Sequence, residues 1–271
     1  MRIPIFTVCS FYCCLLITSC STYNKVVKND NYQEKFELAN ELFEKKEYLK
    51  SITLYEQVYQ RIPKTGEGEL SYYRIARAYY EKSDFPMAGY YFSSFVQHYP
   101  YSNKAQECLF LTAMCSVQNS PEFSLDQNDT KVAIDNLQQF IDRYPESSLV
   151  DSCNHVMDRL LFKLEKKDFE AVKLYSKTQN YRAAVASSKS FLEDYPRSGF
   201  REEIYFILVS NLNLLAVNSV ENKKCERIEQ TIESYRNFVA EFPETAYMSE
   251  IKKVSDKMEK EFEQFCNTEK K

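Results

Sequence analysis

The chain has 271 residues, a net charge of −4, 21 tyrosines, 19 phenylalanines, four glycines and no tryptophan. This acidic balance argues against a nucleic-acid-binding role, because phosphate contacts require a basic surface. The four glycines, at positions 66, 68, 89 and 199, cannot form a G-x-G-x-x-G or Walker loop, so the common nucleotide-binding motifs are excluded as well.

Residues 1–19 have the pattern of a lipoprotein signal peptide. An apolar run follows Arg2, and small residues precede Cys20. We expect cleavage just before Cys20, which then carries diacylglycerol and an N-acyl chain that hold the protein on a bilayer. The polar residues 20–31 are interpreted as a tether between this lipid anchor and the first helix. An ordinary signal peptide that ends before Cys20 is the alternative.

Five helix-length amphipathic segments then each end at a proline with a similar local sequence. The five prolines are Pro63, Pro100, Pro145, Pro196 and Pro243. A large apolar residue precedes each of them, and proline stops the helix because it lacks an N–H group and clashes with the preceding turn. A Ser or Thr follows two residues later and is predicted to be the N-cap of the next helix. Recurrence every 37 to 51 residues indicates stacked helical hairpins.

The spacing inside the units is that of tetratricopeptide repeats. In the second unit the repeat positions are Ala76, Tyr79, Phe85, Ala88, Phe92 and Phe95. The first and fourth units share this spacing, whereas insertions near 117–130 and 217–224 stretch the third and fifth. We therefore predict an all-α fold: a tetratricopeptide-repeat solenoid of about five helical hairpins over residues 32–247, and a C-terminal capping helix and tail over 248–271. An ordinary helical bundle with chance prolines is the alternative.

The cysteines downstream of Cys20 are an odd number and cannot all pair with one another. They are Cys108, Cys115, Cys153, Cys225 and Cys266. Cys108 and Cys115 are seven residues apart on one predicted helix, about 10 Å along its axis, which is too far for a disulfide. They are interpreted as small core residues rather than as redox or metal-binding groups.

The sequence shows no pattern typical of catalysis. It contains no C-x-x-C motif, and its two histidines, His98 and His155, have no nearby set of metal ligands. We therefore predict that the protein is not an enzyme and has no metal site. The expected covalent lipid on Cys20 is its only non-protein group.

A peptide-binding groove is predicted on the first two units, where first-helix residues outside the seam line the concave face. The candidate groove residues are Phe36, Asn40, Phe43, Tyr73, Arg77 and Tyr80. Aromatic rings beside Asn and Arg can bind an extended peptide and pair with a terminal carboxylate. The alternative is that Phe36 and Tyr73 only pack against neighbouring helices.

The order of lipid-anchor signal, short polar segment and five repeats resembles the BamD-like lipoproteins of the outer-membrane β-barrel assembly machinery, in a form similar to that of Bacteroidetes. The resemblance covers essentially the whole mature chain. Its more specific parts are Cys20-Ser21, the insertion from Ser120 to Thr130, Phe169-Glu170-Ala171, and Phe200-Arg201-Glu202-Glu203.

This resemblance implies a non-enzymatic scaffold on the periplasmic face of the outer membrane. It implies that the N-terminal repeats, here Phe36–Tyr80, recognise unfolded outer-membrane protein precursors. It also implies that the C-terminal repeats, here roughly Ala184–Phe238, dock a BamA-like barrel-assembly subunit. The docking arginine of the family has no counterpart in this chain, because Ser187 or Ser188 stands at that position.

Two other helical-repeat lipoproteins remain possible from the sequence. One is an envelope adaptor for cell-division or peptidoglycan proteins, since generic repeats look alike. The other is a glycan-capturing outer-membrane lipoprotein, against which the lack of tryptophan argues.

Overall fold

The computed structural model describes residues 22–266, and this part of the chain contains helices and connecting loops but no strand. The signal peptide predicted for 1–19 and the predicted lipid attachment site, Cys20, lie outside the described residues. The helices are α1 (22–28), α2 (Tyr32–Glu44), α3 (Tyr48–Arg61), α4 (Gly66–Glu81), α5 (Phe85–His98), α6 (Ala105–Asn119), α7 (Asn128–Arg143), α8 (Val150–Lys177), α9 (Tyr181–Asp194), α10 (Arg201–Val217), α11 (Glu221–Glu241) and α12 (Met248–Phe265). The chain divides into two compact units between Asp158 and Arg159.

Successive helices pair in both units. In the first unit α2 packs on α3, α4 on α5 and α6 on α7, and in the second unit α10 packs on α9, α11 and α12. Phe169 and Val172 of α8 pack against Phe191 of α9. These pairs, together with the closing helix α12, confirm the predicted all-α fold of tetratricopeptide-like hairpins.

Every proline stop ends its helix in the same way. The residue before each proline is the C-cap, and its N–H donates to the carbonyl oxygen four residues earlier at 2.8–3.0 Å. The five residues that supply these carbonyl groups are Val58, Phe95, Phe140, Phe191 and Phe238. Each of their side chains is at most 1% exposed. At each stop, the residue whose carbonyl accepts the last helical N–H therefore also packs its side chain into the core of the hairpin.

The Ser or Thr after each proline caps the next helix only in the first unit. Thr65 is the N-cap of α4, and its hydroxyl accepts from the Gly68 N–H at 3.1 Å. At the other four stops the hydroxyl accepts the N–H two residues later, at 2.9–3.3 Å, in a turn that precedes the helix; these residues are Ser102, Ser147, Ser198 and Thr245. The N-cap prediction is wrong there, because the side chain closes a local turn and the helix begins three residues after it.

The tether predicted for residues 20–31 must be corrected, because residues 22–28 form helix α1. Val26 is 2% exposed and belongs to the core of the first hairpin, with Tyr23 and Val27 packed against it. These three residues lie at i, i+3 and i+4, so they form an apolar stripe on one helical face. A composition that is polar on average concealed that stripe.

A disulfide joins α12 to α11. Cys225 lies in the first turns of α11 and Cys266 directly follows α12, with 5.6 Å between their Cα atoms. The pair can form because the two helices run antiparallel, which brings the start of one beside the end of the other. Beneath them Ile228 and Met258 are fully buried in one cluster.

Among residues 22–266 the remaining three cysteines, Cys108, Cys115 and Cys153, are buried free thiols. Burial raises the pKa of the Cys108 and Cys115 thiols to about 12, so both remain protonated and unreactive. Their interpretation as core residues is confirmed.

Candidate functional site

A cleft of about 520 Å³ opens in the first unit beside α4. Its α4 wall consists of Leu70, Tyr73, Arg74, Arg77 and Glu81, whose spacing places them on one helical face. The end of α2 contributes Phe43 and Glu44, and the start of α6 contributes Glu107, with Lys104 just before it. We call this site the aromatic–arginine cleft.

The cleft brings together three of the six predicted groove residues, Phe43, Tyr73 and Arg77. Tyr73 donates its hydroxyl to Glu107 Oε1 at 2.8 Å, and Lys104 Nζ lies 4.9 Å from the centre of the Tyr73 ring. Burial, and next the bond to Glu107, raises the pKa of the Tyr73 hydroxyl, which is therefore neutral at physiological pH.

The other three predicted residues interact within their own hairpins and do not line the cleft. The Phe36 ring packs edge-to-face on Tyr55 at 6.4 Å, and the Asn40 side-chain oxygen accepts from the Tyr55 hydroxyl at 2.7 Å. Tyr80 packs edge-to-face on Phe85 at 5.6 Å. For Phe36 the structure shows the packing that the sequence left open as an alternative.

Arg74 is a cleft residue that the sequence analysis missed. Its guanidinium lies 4.4 Å from the centre of the Phe43 ring, and Nη1 donates to Glu44 Oε1 at 3.1 Å. Its Nε is buried and has no hydrogen-bond partner. The one available signal was position, since Arg74 lies one helical turn before the predicted Arg77.

The ion pairs in the cleft are exposed to solvent. Arg77 contacts Glu81 at 3.1 Å and Glu107 at 3.4 Å, and the side chain of Glu44 is 71% exposed. Pairs that are this exposed contribute little stability, roughly 0–1 kcal/mol each. Glu44 is therefore a weakly held partner of the Arg74 guanidinium.

The resemblance implied a docking region over Ala184–Phe238. Within it, Ser188 is not accessible at the surface. Ser188 is fully buried, and its hydroxyl donates to the Ala184 carbonyl at 2.7 Å. Ser187 instead lines a groove of about 380 Å³ together with Tyr175. Ser187 is thus the surface residue of the two.

Arg201, from the Phe200-Arg201-Glu202-Glu203 motif, joins the ends of α9 and α11. Nε and Nη2 donate to the two carboxylate oxygens of Glu241 at 2.6 and 2.9 Å, and Nη1 donates to the Leu192 carbonyl at 2.7 Å. The side chain of Arg201 is only 14% exposed. The hydrogen bonds from Arg201 lower the pKa of Glu241 below 4.5.

We expect Glu241→Gln to lower the free energy of unfolding by about 1 kcal/mol at pH 7, a modest value because the pair is partly exposed. Since the folded pKa is depressed, this stabilisation is complete above the unfolded value of about 4.3 and is lost as the pH falls through the folded value. Thermal unfolding at pH 7 and pH 3 checks this. The difference between wild type and variant should shrink as the pH falls from 7 to 3, whereas the exposed control Glu244→Gln should have no effect at either pH.

Neither histidine lies in a site that suggests catalysis. His98 and His155 are exposed, and His98 Nδ1 is 3.4 Å from the Tyr59 hydroxyl. Over residues 22–266 there is no group of His, Cys, Asp and Glu side chains that could hold a metal ion. No helix in the same range is both long and apolar enough to cross a bilayer.

Comparison with known proteins places these features in a family. The chain matches the YfiO family, described as an outer membrane lipoprotein family, over residues 28–224 and 163–265. The outer membrane protein assembly factor BamD of Caulobacter vibrioides is 24% identical over 124 residues. That alignment covers 46% of this chain and 41% of the relative, so it spans about two-fifths of the relative's length.

Solved structures were compared as well. The TPR2AB domain of yeast Sti1, in its pHSP90 complex, superposes with a TM-score of 0.40 at 12% identity, covering 84% of this chain and 98% of that one. TPR-like repeats of a Podospora anserina kinesin light chain superpose with a TM-score of 0.32 at 14% identity, covering 79% of this chain and 96% of that one. The family match extends over far more than half of the sequence, and the chain therefore belongs to the YfiO family of outer membrane lipoproteins.

Proposed function

We propose that this chain is a lipid-anchored scaffold component of the outer-membrane β-barrel protein assembly machinery. It is attached through diacylglycerol and an N-acyl chain on Cys20 and faces the periplasm. It binds unfolded outer-membrane protein precursors and a BamA-like barrel-forming subunit, and it catalyses no reaction. Family membership and the name of the Caulobacter relative, an outer membrane protein assembly factor, support this proposal.

The observation that carries the proposal is the unpartnered Nε of Arg74 in the aromatic–arginine cleft. A buried donor without an acceptor is costly, about 1–3 kcal/mol, so the cleft favours a ligand that supplies an anionic oxygen. Phe43 and Tyr73 add aromatic surface to the same cleft. A peptide that ends in an aromatic residue and a free carboxylate meets both requirements.

The disulfide supports the proposed compartment. Disulfides persist in oxidising environments, including the bacterial periplasm, and are rare in the cytosol. The link between Cys225 and Cys266 therefore fits a protein that folds after export.

We assign the docking of the barrel-forming subunit to the second unit, within Ala184–Phe238.

The test is affinity purification of the full-length, lipidated protein from a detergent-solubilised envelope. Recovery of the barrel-forming subunit supports the proposal. Recovery of cell-division or peptidoglycan proteins without that subunit contradicts it and favours the envelope adaptor. The intact mass of the purified chain shows independently whether Cys20 is acylated.

We expect Arg74→Ala to weaken binding of a synthetic peptide with an aromatic C-terminal residue by tenfold or more. A hydrogen bond to a charged group contributes about 1.5–3 kcal/mol, which exceeds the factor of ten that 1.4 kcal/mol represents. Isothermal titration calorimetry measures the affinity. Arg182→Ala, which removes one exposed arginine from α9, is the matched control and should leave the affinity unchanged.

The same peptide with a C-terminal amide separates carboxylate recognition from aromatic contact. The wild type should bind the amide less tightly than the acid, and Arg74→Ala should bind the two forms equally. An undiminished preference for the acid in the variant would show that Arg74 does not contact the carboxylate.

A further inference from the structure

A second pocket, of about 260 Å³, lies in the first unit beside the end of α1. Three cationic side chains line it: Lys28, Lys35 and Arg61. The carboxylate of Asp30 is the acidic group that lines it with them. We call it the cationic pocket, and its side chains carry an excess of positive charge.

Lys35 is the unusual member, because its charge is buried against neutral groups. Lys35 is 4% exposed. Its ammonium donates to Gln57 Oε1 at 2.6 Å and to the Val27 carbonyl at 3.2 Å. In the part of the chain that the structure describes, no carboxylate forms an ion pair with Lys28, Lys35 or Arg61. A buried ammonium without a counter-ion favours the binding of an anion.

The Tyr32 ring, which also lines the pocket, lies beside two of these cations. Lys35 Nζ lies 5.2 Å and Arg61 Cζ lies 6.0 Å from the ring centroid. A guanidinium presents two parallel N–H donors to a phosphate, and an ammonium adds a compact charge beside it. This combination of donors matches a phosphate mono- or diester better than a carboxylate, which has fewer acceptor oxygens.

The pocket is also close, along the chain, to the proposed site of acylation. Val27, whose carbonyl binds Lys35, lies near the end of α1, and α1 begins two residues after Cys20. Seven helical residues extend about 10 Å, and two further residues of any conformation add at most about 7 Å. The pocket is therefore at most about 20 Å from the acylated sulfur, so the chain is short enough to keep it near the head-group layer, which is roughly 5–8 Å thick on each side of the bilayer.

We propose that the cationic pocket binds the phosphate of an anionic phospholipid head group and thereby orients the first repeat on the membrane. This inference rests on the proposed lipid anchor, because acylation is what brings the pocket to the bilayer. Lys28 and Arg61 are exposed and bind the phosphate from the solvent side, whereas Lys35 supplies the buried charge.

The test uses the full-length, acylated protein in a neutral detergent and short-chain phosphatidylglycerol as the probe. Native mass spectrometry counts the bound lipids, and hydrogen exchange reports protection of the amides in residues 22–35. We expect Lys28→Gln/Arg61→Gln to weaken phosphatidylglycerol binding on the order of tenfold, since each cation near a lipid surface contributes a several-fold factor. Lys252→Gln/Lys253→Gln, an exposed pair on α12, is the control with the same change in net charge.

Equal binding by wild type and the pocket variant would overturn the proposal, as would equal weakening in the control. A parallel titration with inorganic phosphate separates the two sources of this chemistry. If phosphate alone protects residues 22–35 as strongly as the lipid does, the site binds free phosphate and the lipid assignment is wrong. The pocket variant should still be acylated and should still recover the barrel-forming subunit, so failure of this inference is distinguishable from failure of the proposed function.

Discussion

Replacing Gly68 with alanine should destabilise the first unit by about 3 kcal/mol or more. A Cβ atom at this position would lie 2.0 Å from the Ile62 carbonyl oxygen and 2.9 Å from Pro63 Cα. Both are backbone atoms of the first proline stop, so no side-chain rotation can relieve the overlap. None of the described glycines has a positive φ, which means that Gly68 is required for space and not for its backbone conformation.

Gly66, two residues earlier in the first turn of α4, is the matched control. Nothing lies within 4 Å of a Cβ atom built there. Gly66→Ala should therefore be neutral or stabilise the fold by up to about 1 kcal/mol, because alanine has the higher helix propensity and restricts the unfolded chain. Urea unfolding followed by circular dichroism measures both variants. Similar midpoints for the two would contradict the close approach of α4 to the proline stop.

Removing the disulfide should have an effect of similar size. The two cysteines are 41 residues apart, and loop-closure entropy for a loop of this length corresponds to about 4 kcal/mol. The double variant Cys225→Ser/Cys266→Ser should therefore unfold at a clearly lower temperature than the wild type. The loss should be confined to the second unit, in which α12 covers the fully buried Ile228.

A reductant provides the control within the same experiment. It should lower the unfolding temperature of the wild type to that of the double variant and leave the variant unchanged. The described free thiols, Cys108, Cys115 and Cys153, form no disulfide that the reductant could break, so they do not contribute to its effect. A wild type that is insensitive to reductant under unfolding conditions would show that the disulfide is absent in solution.

The helix ends were predictable because their causes are local. Proline stops a helix through its own ring, and the apolar residue before it marks the last turn, so all five stops could be located within a residue or two. The capping role of the following Ser or Thr was less predictable. Thr65 and Ser102 follow their prolines at the same distance, yet one caps a helix and the other closes a turn.

The candidate site could be predicted only in part, because tertiary contacts decide which side chains line it. Helical spacing places Phe36, Asn40 and Phe43 on related positions of α2, but spacing does not show which of them a neighbouring helix covers. Tyr55 of α3 packs against both Phe36 and Phe43 and binds Asn40, yet of these three only Phe43, near the end of α2, also lines the cleft. Arg74 gains its importance from the burial of one nitrogen atom, a property that no sequence pattern encodes.

Local chemistry along the chain therefore determines the helices, their ends and the repeat, because backbone geometry and side-chain periodicity act over a few residues. Tertiary packing decides what depends on distant partners. Val26 is buried because the first hairpin lies against α1, and Cys225 pairs with Cys266 because α12 returns antiparallel to α11. Lys35 becomes a buried, unneutralised charge because Gln57 and the Val27 carbonyl surround it, and these neighbours are 22 and 8 residues away in sequence.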